Sequence, residues 1–131
     1  MNQRKGENRI LSTYRRELGK WGEEQACQYL IRQGYRIVYR NYRCPFGEVD
    51  IIASGEDQLV FAEVKTRTST AFGTPAQAVN RKKQSRYRKA ALCFLQDRHW
   101  KNASCRFDIL EVFVRPDSSF HIHHIPNAYG V

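Results

Sequence analysis

Asp50 sits inside a mostly apolar strand-like run, Glu48–Ala53 (EVDIIA), and thirteen residues later Glu63 and Lys65 interrupt a second one, Leu59–Thr66 (LVFAEVKT). Charges at such positions need compensation, because an ionised side chain taken out of water is costly unless it is paired. Both runs are rich in β-formers, and strand side chains alternate between faces. Glu63 and Lys65 therefore point the same way, and a neighbouring strand brings Asp50 beside them. Two carboxylates converging on one point repel each other and resist desolvation. A divalent cation between them relieves both effects, and a hard oxygen-ligand set suits Mg²⁺ or Mn²⁺. The lysine then orients or helps deprotonate a water attacking phosphorus, or stabilises the charge that develops there.

The elements that must position these groups follow from periodicity and turn chemistry. Residues 1–14 carry charge without hydrophobic periodicity and read as a flexible basic N-terminal tail, leaving residues 15–131 as a single domain. From Arg15 to Gln33, Leu18, Trp21, Gly22, Ala26, Tyr29 and Leu30 recur at helical spacing, and Gly34 supplies the stop. Tyr35–Tyr42 reads as a first strand, followed by a turn at Cys44-Pro45-Phe46-Gly47. The two charged runs are the next strands, joined as an antiparallel hairpin through the five polar residues Ser54–Gln58. Thr74-Pro75-Ala76-Gln77 combines an N-cap, a proline at the first helical position and a glutamine at capping-box spacing, so a second helix spans Thr74 to Gln96. Strands at Arg106–Val114 and Phe120–Ile125 complete the chain. The order α-β-β-β-α-β with a β extension predicts an α/β fold, a mixed sheet flanked by helices.

The chain has 131 residues, 41% of them hydrophobic and 27% charged, enough for one packed core and too apolar for wholesale disorder. It has no apolar run of the roughly 20 residues that a membrane span needs, and Met1–Glu17 lacks the apolar stretch of a secretory signal. Both point to a cytoplasmic protein with no membrane partner. Cys27, Cys44, Cys93 and Cys105 fit neither a zinc site nor a disulfide framework and read as reduced, structural thiols. The 22 Lys plus Arg against 13 Asp plus Glu give a formal charge of +9, a field that attracts polyanions and makes nucleic acid the leading partner class. In the second helix, Arg81, Lys82, Arg88 and Lys89 oppose the apolar face of Val79, Tyr87, Ala90 and Phe94. Lys83 and Arg86 lie nearer its inner flank and are the better phosphate contacts. Arg43 and Arg67, at strand ends beside the acids, join them as nucleic-acid-binding candidates. His121, His123 and His124 form an HxHH with no third ligand at suggestive spacing, and read as a plain terminal strand.

Val49-Asp50 followed by Glu63-Val64-Lys65 resembles the PD-(D/E)xK nuclease superfamily, with valine where the motif's name has proline. A closer resemblance is to the bacterial YraN family. It rests on Gly22-Glu23, Gly34-Tyr35, Asn41-Tyr42-Arg43, Gly47–Ile52, Phe61–Arg67 and Arg106-Phe107-Asp108, and covers about residues 19 to 115. That family is similar in turn to archaeal Holliday junction resolvases. The likeness implies a restriction-endonuclease-like core and a metal-dependent DNA endonuclease hydrolysing phosphodiester bonds in branched or structured DNA. It implies Asp50, Glu63 and the Val64 carbonyl around Mg²⁺ or Mn²⁺, with Lys65 activating the nucleophile. The superfamily often adds an acid from the first helix. Glu23 lies roughly 100° from the inward direction and Glu24 roughly 160°, so Glu23 is the better ligand or water-positioning acid. Its other reading is a flanking surface glutamate. Glu48 shares a face with Asp50 and is either a supporting contact or an exposed strand start. Gln77 matches the place of a polar active-site residue on the helix after the ExK strand in several relatives, and competes there with its capping role. A small core with one cleft cannot embrace a branched junction, so the resolvase likeness implies a homodimer. The rival readings are a non-catalytic nucleic-acid-binding protein on the same fold and an RNase. Nothing in the residues separates DNA from RNA.

Overall fold

The computed structural model of the protein describes residues 3–68, 81–100 and 103–129. Among the described residues, seven elements follow in order: α1 (Gln3–Arg32), β1 (Arg36–Cys44), β2 (Gly47–Gly55), β3 (Gln58–Thr68), α2 (Arg81–Asp97), β4 (Ser104–Val114) and β5 (Phe120–Ile125). The five strands form one sheet in the order β1-β2-β3-β4-β5. Neighbours are antiparallel except β3 and β4, which run parallel because α2 lies on the connection between them. The predicted mixed α/β fold of restriction-endonuclease-like type is therefore the observed one. No helix among the described residues is long and apolar enough to cross a membrane.

Helix α1 extends well upstream of Arg15, so residues 3–14, read above as a tail, are helical. The upstream sequence QRKGENRILSTY carries no hydrophobic periodicity, so the pattern that marks the helix from Arg15 onward does not reach it. At its other end α1 stops as predicted. Gly34 takes φ +96°, the Tyr35 amide donates to the Leu30 carbonyl at 2.9 Å, and the Gly34 amide donates to that of Ile31 at 3.0 Å. This double bond pattern satisfies carbonyls that the helix end would orphan.

The β2–β3 connection is tighter than the predicted five residues. Gly55 pairs with Gln58, and Glu56 and Asp57 alone make the turn, at φ 52° and 62°. Two positive φ values match a primed turn and the right-handed twist of the strands it joins.

The sheet separates two apolar layers. Ala26, Cys27 and Leu30 of α1 pack on Ile51, Ala53, Val60, Ala62 and Leu110. On the other face Tyr87, Ala90, Ala91 and Phe94 of α2 pack on Val49, Phe61, Phe107 and Ile109. There Phe61, Phe107 and Tyr129 stack, with centroids 5.6 and 5.0 Å apart, and Phe94 meets Phe61 edge-on. The closest approach of α1 to the sheet is at Gly22, where a β-carbon would lie 1.9 Å from Thr66 Oγ1. A side chain there would push the helix off β3.

Candidate active site

The β2–β3 ladder runs from Gly55↔Gln58 only as far as Ile51↔Ala62, whereas β2 stays paired with β1 to the Cys44↔Gly47 end. Past Ile51 the strands therefore part, and Asp50 stands in the fork. Its Oδ2 accepts a hydrogen bond from the Val64 amide at 2.8 Å, replacing the lost ladder contact and fixing the carboxylate against β3. Burial raises the Asp50 pKa to about 7. The Val64 amide pulls the other way, and the charges of Glu23, Glu63 and Glu48 add to the rise.

Glu63, on the other arm of the fork, is 6% exposed. Its Oε1 lies 3.2 Å from Lys83 Nζ and 3.7 Å from Lys65 Nζ, while its Oε2 is buried with no hydrogen-bond partner. The Lys65 contact verifies the predicted i, i+2 pairing on one face of the strand. Burial lowers the Lys65 pKa, with Glu63 opposing and the positive charges of Lys83 and Arg67 reinforcing the shift. Glu48, Asp50, Glu63, Lys83, Arg86 and Tyr87 line one cleft of about 240 Å³ between the fork and α2. Burial also raises the Tyr87 hydroxyl pKa, helped by the charges of Asp50 and Glu63. The phenol stays neutral and is available as a hydrogen-bond donor.

The other candidates are distributed around this cleft. Glu23 reaches the fork from α1, on the opposite side of the sheet, and lines a neighbouring cavity together with Val64. Its pKa is raised by burial first and by Glu48 second, against Arg40 and a hydrogen bond from Asn41. Glu24 instead pairs with Arg40 at 2.8 Å on the surface, as the helical geometry predicts. Glu48 combines both of its predicted readings: it lines the cleft, yet it is exposed and lies 3.6 Å from Arg43. Arg43 is itself exposed, as is Arg86 at the cleft wall. Lys83 is more than a surface cation, since it pairs with Glu63. Gln77 lies outside the described residues.

Sequence reasoning missed Glu111. It is completely buried on β4 in direct register with Lys65, lies 3.2 Å from Arg67 Nε and 3.1 Å from His123 Nδ1, and has an Oε2 with no hydrogen-bond partner. A glutamate in the apolar run LEVFV carries the same signal that singled out Asp50. Asp108 is a second buried acid, gripped by both ends of the Arg106 guanidinium at 2.8 Å, by His124 at 2.6 Å and by the Asn127 amide at 2.9 Å. Despite its burial, those hydrogen bonds hold its pKa below the ordinary carboxylate value. The HxHH thus serves as predicted for a terminal strand: two imidazoles meet buried acids of β4, and His121 stacks on Phe113. All four cysteines are free thiols.

Among the described residues no group of three or more His, Cys, Asp and Glu side chains is gathered closely enough to hold a metal. The cleft nevertheless has what Mg²⁺ or Mn²⁺ asks of a protein: two carboxylates, with waters and substrate oxygens filling the remaining positions. Glu63 Oε2 is buried without a hydrogen-bond partner and burial raises the Asp50 pKa, two features that a divalent cation between the acids would relieve.

The profile of the family described as "Uncharacterised protein family UPF0102" matches residues 22–112, a span that includes Glu23, Asp50, Glu63, Lys65 and Glu111. The chain is similar to a UPF0102 protein of Syntrophomonas wolfei, 43% identical over 114 residues that cover 87% of this chain and 98% of the relative. A UPF0102 protein of Caldicellulosiruptor saccharolyticus is 44% identical over 116 residues, covering 88% and 98%. One from Desulforamulus reducens is 45% identical over 121 residues, covering 90% and 99%.

Proposed function

We propose that this chain, which belongs to the UPF0102 family, is a Mg²⁺- or Mn²⁺-dependent DNA endonuclease of PD-(D/E)xK type that cuts branched or structured DNA in the cytoplasm. The observation that carries this reading is the fork. Asp50 and Glu63 enter one cleft from separate strands, a buried oxygen of Glu63 lacks a partner, and two lysines stand beside it. Asp50 and Glu63 would hold the ion, with the Val64 carbonyl joining them as the resemblance implies. When bound, the ion would lower the pKa of water and screen charge on phosphorus.

The remaining chemistry belongs to the protein. The largely buried ammonium of Lys65 lies 3.7 Å from Oε1 of Glu63, a residue that lines the cleft. It donates hydrogen bonds to the attacking water and to the phosphoryl oxygens as charge grows there. Arg86, exposed at the wall of the same cleft, holds the flanking phosphate of the strand, and Lys83 bridges between Glu63 and that phosphate. Arg43 extends this cationic surface along β1. Glu23 acts from the α1 side by positioning water. A branched substrate needs two such clefts, supplied by a homodimer.

A second reading has its own observation. Lys65 and Lys83 already neutralise Glu63, so the cleft balances part of its charge without a metal, as a non-catalytic nucleic-acid-binding protein would require. One experiment separates the two. Flapped, forked, four-way and linear DNA, and RNA, are incubated with Mg²⁺ or Mn²⁺ and the wild type, Lys65→Ala or Asp50→Asn. Metal-dependent product from the wild type alone is the expected result. Equal product from all three proteins, or none on any substrate, overturns the enzyme reading.

A further inference from the structure

Beside the fork, on the α1 side, lies a cavity of about 500 Å³, the larger neighbour of the acid cleft. Tyr14 and Arg15 of α1 line it from one side and Thr66 and Arg67 of β3 from the other. Glu23 and Val64 line it too, and they tie it to Asp50: the Val64 amide donates to the Asp50 carboxylate, and the charge of Glu23 helps raise the Asp50 pKa. Val64, which lines the cavity, is thus one hydrogen bond away from Asp50, which lines the cleft.

Its lining is chemically specific. Arg15 and Arg67 supply two guanidiniums, the groups best shaped to fork onto phosphate oxygens. Tyr14 presents an aromatic ring that is 59% exposed although no part of the core needs it there. Thr66 Oγ1 is buried without a hydrogen-bond partner. Arg67 is not a loose surface cation: it is 19% exposed, and its Nε lies 3.2 Å from Oε2 of Glu111, a carboxylate with no exposure at all, an ion pair in which neither atom makes a hydrogen bond. Burying that carboxylate has a cost, and holding Arg67 at a fixed place is a return consistent with it. Cations that track a backbone, together with a ring open for stacking, form the surface that binds single-stranded nucleic acid. A base inside a duplex has no free face to offer Tyr14.

We infer that this cavity seats an unpaired stretch of DNA next to the scissile phosphate, with Arg15 and Arg67 on its phosphates, Tyr14 stacked on a base, and Glu111 as the positioning residue for Arg67. The inference rests on the nuclease reading and narrows its substrate class to DNA with a single-stranded segment adjoining the cut, such as a flap or fork.

The test is metal-free binding, in EDTA, of a fluorescein-labelled ten-nucleotide oligothymidylate to the full chain, read by anisotropy across a salt series. Tyr14→Ala weakens binding about tenfold and Tyr14→Phe restores it. Arg15→Ala and Arg67→Ala each weaken binding and each reduce the salt slope by about 0.7. Glu111→Gln, checked for folding by circular dichroism, weakens binding in the same direction as Arg67→Ala and adds little to it in the double variant. Arg32→Ala, at an exposed cation at the far end of α1, is the charge control. Wild-type affinity in Tyr14→Ala, an equal loss in Arg32→Ala, or tenfold tighter binding of oligouridylate overturns the inference. The two readings fail separately. If the wild type cuts DNA while Tyr14→Ala binds normally, the seat falls and the nuclease stands. If nothing is cut while Tyr14→Ala binds weakly, the seat stands on a binding protein.

Discussion

Asp50 is the residue at which stability and function pull apart. With its pKa raised to about 7, the folded chain holds a proton there that the unfolded chain releases near pH 4. The stabilising form is the protonated one. Its contribution is complete below the unfolded pKa and is lost as pH rises through about 7. In EDTA at pH 8, Asp50→Asn should therefore melt several degrees above the wild type. The gain is on the order of 2 kcal/mol after allowing for partial exposure, and on the proposed nuclease reading it would come with loss of metal binding and cleavage. Calorimetric scans at pH 5 and pH 8 check the sign, since the difference should shrink at the lower pH. On the metal-dependent reading proposed above, the same proton would compete with the cation. Mn²⁺ affinity measured by titration calorimetry should rise by up to about tenfold per pH unit from pH 6 toward 7 and flatten above it, with proton release in the lower range. At this scale much was legible. Asp50, Glu63 and Lys65 stood out because apolar strands do not carry charges without reason. The same signal at Asp108 and Glu111 went unread, because whether Glu111 meets Arg67 and His123, and Asp108 meets His124, depends on the β3–β4 and β4–β5 registers, and those join residues far apart in the chain.

The elements place the site through two close fits. One is Gly22 against Thr66. An alanine in a helix interior ordinarily gains about 1 kcal/mol over glycine. Here the added methyl would collide with a buried hydroxyl on β3, and the sign reverses. Gly22→Ala should cost roughly 1 to 3 kcal/mol, and Thr66→Ala in the same chain should recover part of the loss, as read by urea denaturation. The other fit is the end of the β2–β3 ladder at Ile51↔Ala62, which frees Asp50 and the Val64 amide for each other. Helix and strand identities were readable from period and composition, and Gly34 marked the end of α1. The start of α1 was not readable, because residues 3–14 carry no hydrophobic period in the sequence. The Glu56-Asp57 turn lacked the usual Asn-Gly signature, so its two-residue length was hidden too.

For the whole molecule, the +9 charge predicts binding governed by counterion release. If Arg43, Arg67, Lys83 and Arg86 all engage phosphates, the log of duplex affinity should fall against the log of salt concentration with a slope of about −3 to −4, measured by anisotropy with Ca²⁺ in place of Mg²⁺. A slope near zero would remove nucleic acid as the partner. Sheet order matches chain order throughout, and this orders the assembly of the site in time. Asp50 and Glu63 sit on the two legs of a short hairpin and meet through local zipping, which is the fast class of folding event. Lys83 arrives only when the α2 crossover has closed β3 onto β4. Until then the acidic pair would have Lys65 of β3 beside it but not Lys83, and millimolar divalent cations during refolding should speed the hairpin before any substrate is present.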